Sequence, residues 1–303
     1  MTLRHSLHLP ARTVLGACFA MRCLLVVALL CGVMVSAVAE EPRPTLAEAT
    51  GRALDLGTTG WKLFIPDTYV ARDDAKYDLL IHFHGHPPVV WNNALEAKLN
   101  AVIVTVNYNG LSRAYSTPFS DPKLFGKLLD DIHNELRKQP EFGEKATLDQ
   151  LAISSFSAGY GAVRELLKQP EYFEQIDAIL AADSLYASTV DDGTPDDSQL
   201  IDYKRFAELA VEKQKTFLFT HSEVPTPTYE STVETGDELL AHLELTAEPS
   251  DATGLGTIEF YRQAKRGQFE LLGARGDDGD AHMEHLRYIG EFFARLPLAK
   301  LPE

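Results

Sequence analysis

From about residue 60 onward, short apolar runs alternate with amphipathic stretches. Trp61–Ile65, Tyr77–Phe83, Ala101–Val106, Leu151–Ser154, Ala178–Ala182, Thr216–Thr220 and Gln268–Leu272 are short apolar runs, most of them bounded by Pro, Gly, Asn or Asp. Such runs predict strands buried on both faces. Thr257–Gln263 also reads as extended. Between them, Lys123–Lys138 sets Leu124, Leu128, Leu129 and Ile132 on one face, which predicts a helix. Helical periodicity also runs through Ala162–Leu167, Tyr203–Gln214, Glu234–Leu245 and Glu284–Leu296. Strands alternating with helices predict the α/β class: a mostly parallel central sheet with helices on both faces. In such sheets the ligand crevice lies at the carboxyl ends of the strands. No internal repeat or low-complexity linker interrupts the pattern, so residues 40–303 are expected to form a single domain.

The first 39 residues follow another pattern. Arg22 precedes the apolar run Leu24–Val35, and Ala37–Val38–Ala39 forms an A-x-A cleavage signal ahead of Glu40 and Glu41. This predicts a signal peptide over residues 1–39 and export to the periplasm or the medium. Met21–Ala39 holds every part of that leader, which makes Met21 an alternative start. The run is short for a membrane span, so no stable membrane insertion is expected after cleavage. All three cysteines (Cys18, Cys23, Cys31) fall in the leader, which removes thiol catalysis, disulfides and cysteine-ligated zinc from the mature chain. The sequence has 28 basic and 44 acidic residues, a net charge of −16, and the leader carries arginines but no acids. A surface this acidic repels phosphate backbones, so no nucleic-acid partner is expected.

The richest local signal is Leu151–Gly161. An apolar run ends in Ser154–Ser155, passes Ser157, and opens into a helical pattern through Ala158, Gly159 and Tyr160. A strand that turns sharply into a helix presents one side chain at its apex, here Ser157. The crowded turn needs small residues two before and two after the apex, met by Ser155 and Gly159. The stretch resembles the G-x-S-x-G nucleophile elbow of the α/β-hydrolase family, with Ser155 in the first glycine position. An alternative role for these serines is to cap the following helix.

The resemblance implies an α/β-hydrolase fold and a serine hydrolase that cleaves an ester, thioester or amide through an acyl-enzyme. No cofactor or metal is expected, and the expected partner is a small-molecule ester or amide. A serine hydroxyl needs a base, and the base needs an acid to orient it. In the family's chain order the histidine comes last. His282, in the polar loop before the closing helix, is the expected base, while His285 reads as helix surface or core. Asp183, directly after Ala178–Ala182, is the expected acid. Glu223, after the next strand, is the competitor. The oxyanion donors implied are the backbone N–H of Ala158 and one from the loop after Tyr77–Phe83, through Gly85 or His86. His84–Gly85 is similar to the family's His-Gly signature in that loop.

Two further readings attach to the same residues. His82, His84 and His86 alternate along a strand and could ligate zinc, as in a zinc-dependent hydrolase. The Asp-His pair that normally continues that pattern is replaced here by Pro87–Pro88. A non-catalytic binding protein on the same scaffold is the other alternative. Tyr108 and Tyr186 are expected to form part of the substrate wall. The acidic insertion between Asp183 and Tyr203 is too short for a large lid over an interfacial lipid site.

Overall fold

The computed structural model describes residues 44–302 apart from positions 58, 59, 192 and 255. The leader expected over residues 1–39, with its alternative start at Met21, lies outside the described residues. In chain order the elements are β1 (Gly51–Asp55), β2 (Trp61–Pro66), β3 (Lys76–Phe83), α1 (Pro87–Glu96), β4 (Val102–Val106), α2 (Ser112–Phe119) and α3 (Pro122–Leu136). They continue with β5 (Thr147–Phe156), α4 (Tyr160–Leu167), α5 (Pro170–Gln175), β6 (Ala178–Ala182), α6 (Ile201–Val211), β7 (Thr216–His221) and α7 (Thr232–His242). Last come β8 (Glu248–Pro249), β9 (Phe260–Arg266), β10 (Phe269–Ala274), α8 (Gly279–Arg287) and α9 (Gly290–Phe293).

The strands form one sheet in the order β1-β2-β4-β3-β5-β6-β7-β10-β9-β8. The pairs from β4 to β10 are parallel, and β1, β2, β9 and β8 extend the two edges by antiparallel pairing. A parallel strand buries both faces, and β6 shows how its sequence allows this. Ile179 and Ala181 face one core, shared with α3, α4, α6 and α7, while Ala178, Leu180 and Ala182 face the other, shared with α1, α8 and α9. Register keeps the strand ends level. Phe156 pairs with Ala182, Ala182 with Thr220, and His221 with Gly273. The residues just past β5, β6 and β7 therefore emerge along one rim.

The loop after β3 is short: Pro87 and Pro88 already begin helix α1, where a missing N–H costs nothing and a fixed φ suits the first turn. The closing helix expected over 284–296 begins five residues earlier and breaks in two. Asp278 caps its start by accepting from the N–H groups of Asp280 and Ala281. His282 thus sits in the first turn of α8 rather than in a loop. Asp278 is its cap. At the break, the Gly290 N–H donates to Asn93 Oδ1 at 2.7 Å, and a Cβ there would press on the Asn93 carbonyl.

Candidate active site

The turn after β5 is tight because three backbones meet there. Ser157 takes a left-handed φ of +47° and leads a single 3-10 turn into α4. A left-handed non-glycine residue costs about 1–2 kcal/mol, so surrounding contacts must hold it. Gly159 has an ordinary helical φ, so it is needed for space: a Cβ there would collide with the Phe83 carbonyl. Gly161 meets the same limit against the Ser112 carbonyl. Ser155 is fully buried, and its hydroxyl lies 2.9 Å from Ser184 Oγ, which also donates to the Ser157 carbonyl at 2.8 Å. The serine in the first glycine position thus ties the elbow to the turn after β6.

That neighbouring turn carries Asp183, also left-handed at φ +45° and fully buried. Its Oδ2 accepts from His282 Nδ1 at 2.7 Å and from Ser222 Oγ at 2.6 Å. Its Oδ1 accepts from the Ser222 N–H at 3.0 Å and from Thr232 Oγ1. Burial alone pushes the carboxyl pKa up, but the His282 bond, the His285 and His282 imidazoles and the Ser222 hydroxyl outweigh it. The group is held below the usual carboxylate range. Ser222 is itself steadied by His221, whose Nδ1 donates to the Ser222 carbonyl at 3.0 Å and whose Nε2 accepts from Arg262 Nε at 2.9 Å. Neither Ser222 nor Thr232 carries a sequence signal for this duty, since 39 and 49 positions separate them from Asp183.

His282 is partly exposed, with 20% of its side chain accessible, and its ring stacks on Phe156 at 4.5 Å between centroids. The Nδ1–H committed to Asp183 leaves Nε2 as the nitrogen able to take a proton. Ser157, Ala158 and His282 line one cavity of about 550 Å³, together with Tyr160, Arg164, Tyr186, Tyr229 and the Val224–Pro227 segment. Ala158 lies in the first turn after the strand, where backbone N–H groups have no partner within the helix. The Gly85 N–H donates to Asn107 Oδ1 at a long 3.4 Å, and Gly85 does not line the cavity. The His86 N–H has no acceptor among the described residues.

Glu223, the competing acid, is elsewhere engaged. Its backbone N–H donates to the Gly276 carbonyl, and its Oε2 accepts the Gly276 N–H at 3.0 Å, pinning the loop between β10 and α8. His285 is fully buried, with Nδ1 2.8 Å from Thr220 Oγ1. Of the two tyrosines expected in the substrate wall, Tyr186 lines the cavity. Tyr108 does not: its hydroxyl accepts from Trp61 Nε1 at 2.7 Å and its ring packs on Tyr115.

The zinc reading of His82, His84 and His86 meets a direct obstacle. His82 is fully buried with both nitrogens taken: Nδ1 lies 3.0 Å from Ser154 Oγ and Nε2 3.1 Å from the His84 carbonyl. His84 turns away at φ +67° and places Nδ1 2.8 Å from the Tyr115 hydroxyl. Left-handed backbone at His84 breaks the alternation that put the three rings on one face. Among the described residues no three His, Cys, Asp or Glu side chains are grouped to hold a metal ion.

The mostly parallel sheet, the helices on both faces and the strand–turn–helix at its centre make this an α/β-hydrolase fold. No family model matches the sequence, and no curated protein matches it. Solved structures similar to it include a feruloyl esterase module from Clostridium thermocellum, at 11% identity over 87% of this chain and 98% of that one, TM-score 0.46. A siderophore hydrolase from Aspergillus nidulans is 12% identical over 82% of this chain and 95% of that one, TM-score 0.46. A poly(3-hydroxybutyrate) depolymerase from Bordetella parapertussis is 15% identical over 83% of this chain and 93% of that one, TM-score 0.43. These are likenesses of fold, and the chemistry rests on the geometry above.

Proposed function

We propose that the protein is a serine hydrolase that cleaves a carboxylic ester of a small molecule through an acyl-enzyme on Ser157. The observation that carries this reading is the 2.7 Å bond between His282 Nδ1 and the buried Asp183, at the rim of a cavity that Ser157 also lines. His282 Nε2 takes the Ser157 Oγ proton as Oγ bonds to the substrate carbonyl carbon. The tetrahedral oxyanion faces the Ala158 N–H and a donor of the Gly85–His86 loop. The Gly85–Asn107 bond is long enough to give way to a stronger acceptor. Collapse breaks the ester C–O bond, and His282 returns its proton to the departing alcohol. Water then attacks the acyl-enzyme, giving one proton to His282, and releases the acid as Ser157 regains its hydrogen. Asp183 keeps its charge throughout and stabilises the imidazolium.

In the purified protein, Ser157→Ala should abolish turnover of short p-nitrophenyl esters and labelling by a fluorophosphonate. Undiminished labelling of the variant overturns the assignment. A wild type that neither turns over esters nor takes the label overturns the hydrolase reading and favours a non-catalytic binding protein. Export is part of the same proposal, supported by the leader pattern; the N-terminus of protein recovered outside the cytoplasm should be Glu40.

A further inference from the structure

Resting on the ester-hydrolase reading, we propose that Arg164 receives a carboxylate carried by the substrate, so that the preferred substrates are esters with an anionic group a few bonds from the scissile carbonyl. Among the described residues, Arg164 is the one lining the cavity that carries a permanent charge, in a chain whose net charge is −16. Half-buried arginines are usually paired, and the other three among the described residues are. Arg72 meets Asp78, Asp74 and Asp149, Arg262 meets Asp237, and Arg287 meets Asp280 and Glu284. No carboxylate among the described residues comes within ion-pair distance of Arg164.

The guanidinium is nonetheless held in place. It stacks over the Tyr160 ring at 5.2 Å, and Nη1 donates to Gln199 Oε1 at 2.8 Å. Gln199 cannot flip to present its amide nitrogen, because Nε2 already donates to Ser188 Oγ at 3.0 Å and to Asp196 Oδ2 at 2.9 Å. Asp196 therefore orients the arginine through a neutral amide; the two charges attract across it but form no ion pair. Nε and Nη2 have no protein acceptor among the described residues, so the edge of the fork that they form remains for a ligand. Planar bidentate pairing with a carboxylate is what such a fork suits.

The spacing is set by the 3-10 turn Ser157–Gly159 and the helix α4 that follows it. Arg164 lies seven residues beyond Ser157, roughly 12 Å along the axis at about 2.0 Å per residue in the 3-10 turn and 1.5 Å in α4. Helical side chains lean toward the N-terminus, which shortens the reach from the reacting carbonyl to roughly 6–8 Å. An apolar spacer of about four methylenes, or one ring, spans that gap. The wall beside it is apolar and rigid: Tyr186 and Tyr229 meet edge to face at 5.7 Å, next to Pro225 and Pro227.

The test compares p-nitrophenyl hydrogen adipate with its neutral methyl ester, which share leaving group and spacer. The wild type should favour the acid about 10- to 100-fold in kcat/KM, the worth of a charge-assisted pair. That ratio should fall to about 1 in Arg164→Gln, recover in part in Arg164→Lys, and drop below 1 in Arg164→Glu. A measurement on the wild type stands apart from how the variants fold: adipamic acid should inhibit competitively at concentrations where adipamide does not. A wild-type ratio at or below 1, or a preference that survives Arg164→Gln, overturns the proposal. Failure to hydrolyse either ester, with no fluorophosphonate label on Ser157, overturns the hydrolase reading itself and this proposal with it.

Discussion

Two parallel strands side by side, β6 and β7, each end in an acid close to the same rim, and the two acids have opposite fates. Asp183 follows β6 immediately, is fully buried, and accepts four hydrogen bonds, one of them from an imidazole. Glu223 lies one residue further past its strand, is partly exposed, and holds a backbone loop at Gly276. The left-handed turn at Asp183 makes the difference. It bends the chain so that a short side chain stays under the rim, where the hydroxyls of Ser222 and Thr232 both donate to it. Glu223 continues outward, and its longer side chain reaches only the loop that carries α8. One acid addresses the histidine; the other addresses the loop that positions the histidine's helix.

The comparison breaks most sharply under amide substitution. Asp183→Asn should lower kcat about 10,000-fold, since the amide cannot hold the same tautomer of His282, whereas Glu223→Gln should cost less than about 10-fold. Steady-state kinetics on a p-nitrophenyl ester reads both, and a reversed order would exchange the roles given to the two acids. Ser222→Ala removes a hydroxyl donor from Asp183 and should reduce kcat by about 10-fold, with KM nearly unchanged.

A smaller effect sits between the turns. Ser155→Gly restores the usual glycine but strips Ser184 of its buried partner, and should cost about 1 kcal/mol of stability in a denaturant titration. An unchanged or raised midpoint would mean that the Ser155–Ser184 contact contributes nothing.

Acid should weaken the fold from the same region. Burial pushes His82 and His221 down to about 3 from an ordinary 6.5. Between those values the unfolded chain binds protons that the folded chain refuses, so this stability is complete above pH 6.5 and is lost as pH falls toward 3. The slope is up to about 1.4 kcal/mol per pH unit for each histidine. Asp183 has the same sign at lower pH: its contribution is complete above 3.8 and is lost as pH falls through its depressed value. Thermal midpoints measured from pH 7.5 to 4 should decline, and less steeply in His82→Asn. A flat profile would show these rings to be free to protonate in the folded state.

Much of this was legible in one dimension. The parallel strands are nearly continuous apolar runs, so β6 could be read to the residue, and the alternation of strands with periodic helices defined the class. Ser157 stood out because a strand, small residues and a helix follow one another without a gap. Elements that rely on capping or edge pairing were harder to see. β1 is mostly exposed and pairs on one side only, and the start of α8 depends on Asp278, whose sequence context reads as loop. The histidine triplet admitted a zinc alternative because strand alternation assumes that the strand continues, and it stops at Phe83.

What the sequence determined by itself was the strand-and-helix order and the residue types at the strand ends, because burial and periodicity are local properties of the chain. Only the tertiary structure put Asp183, and not Glu223, within hydrogen-bond reach of His282, gave Asp183 its donors from Ser222 and Thr232, turned Tyr108 away from the cavity, and left Arg164 without an acidic partner among the described residues. Those outcomes depend on strand register and on the sign of φ at single turns, which bring together side chains tens of residues apart. No window along the chain contains both members of such a pair.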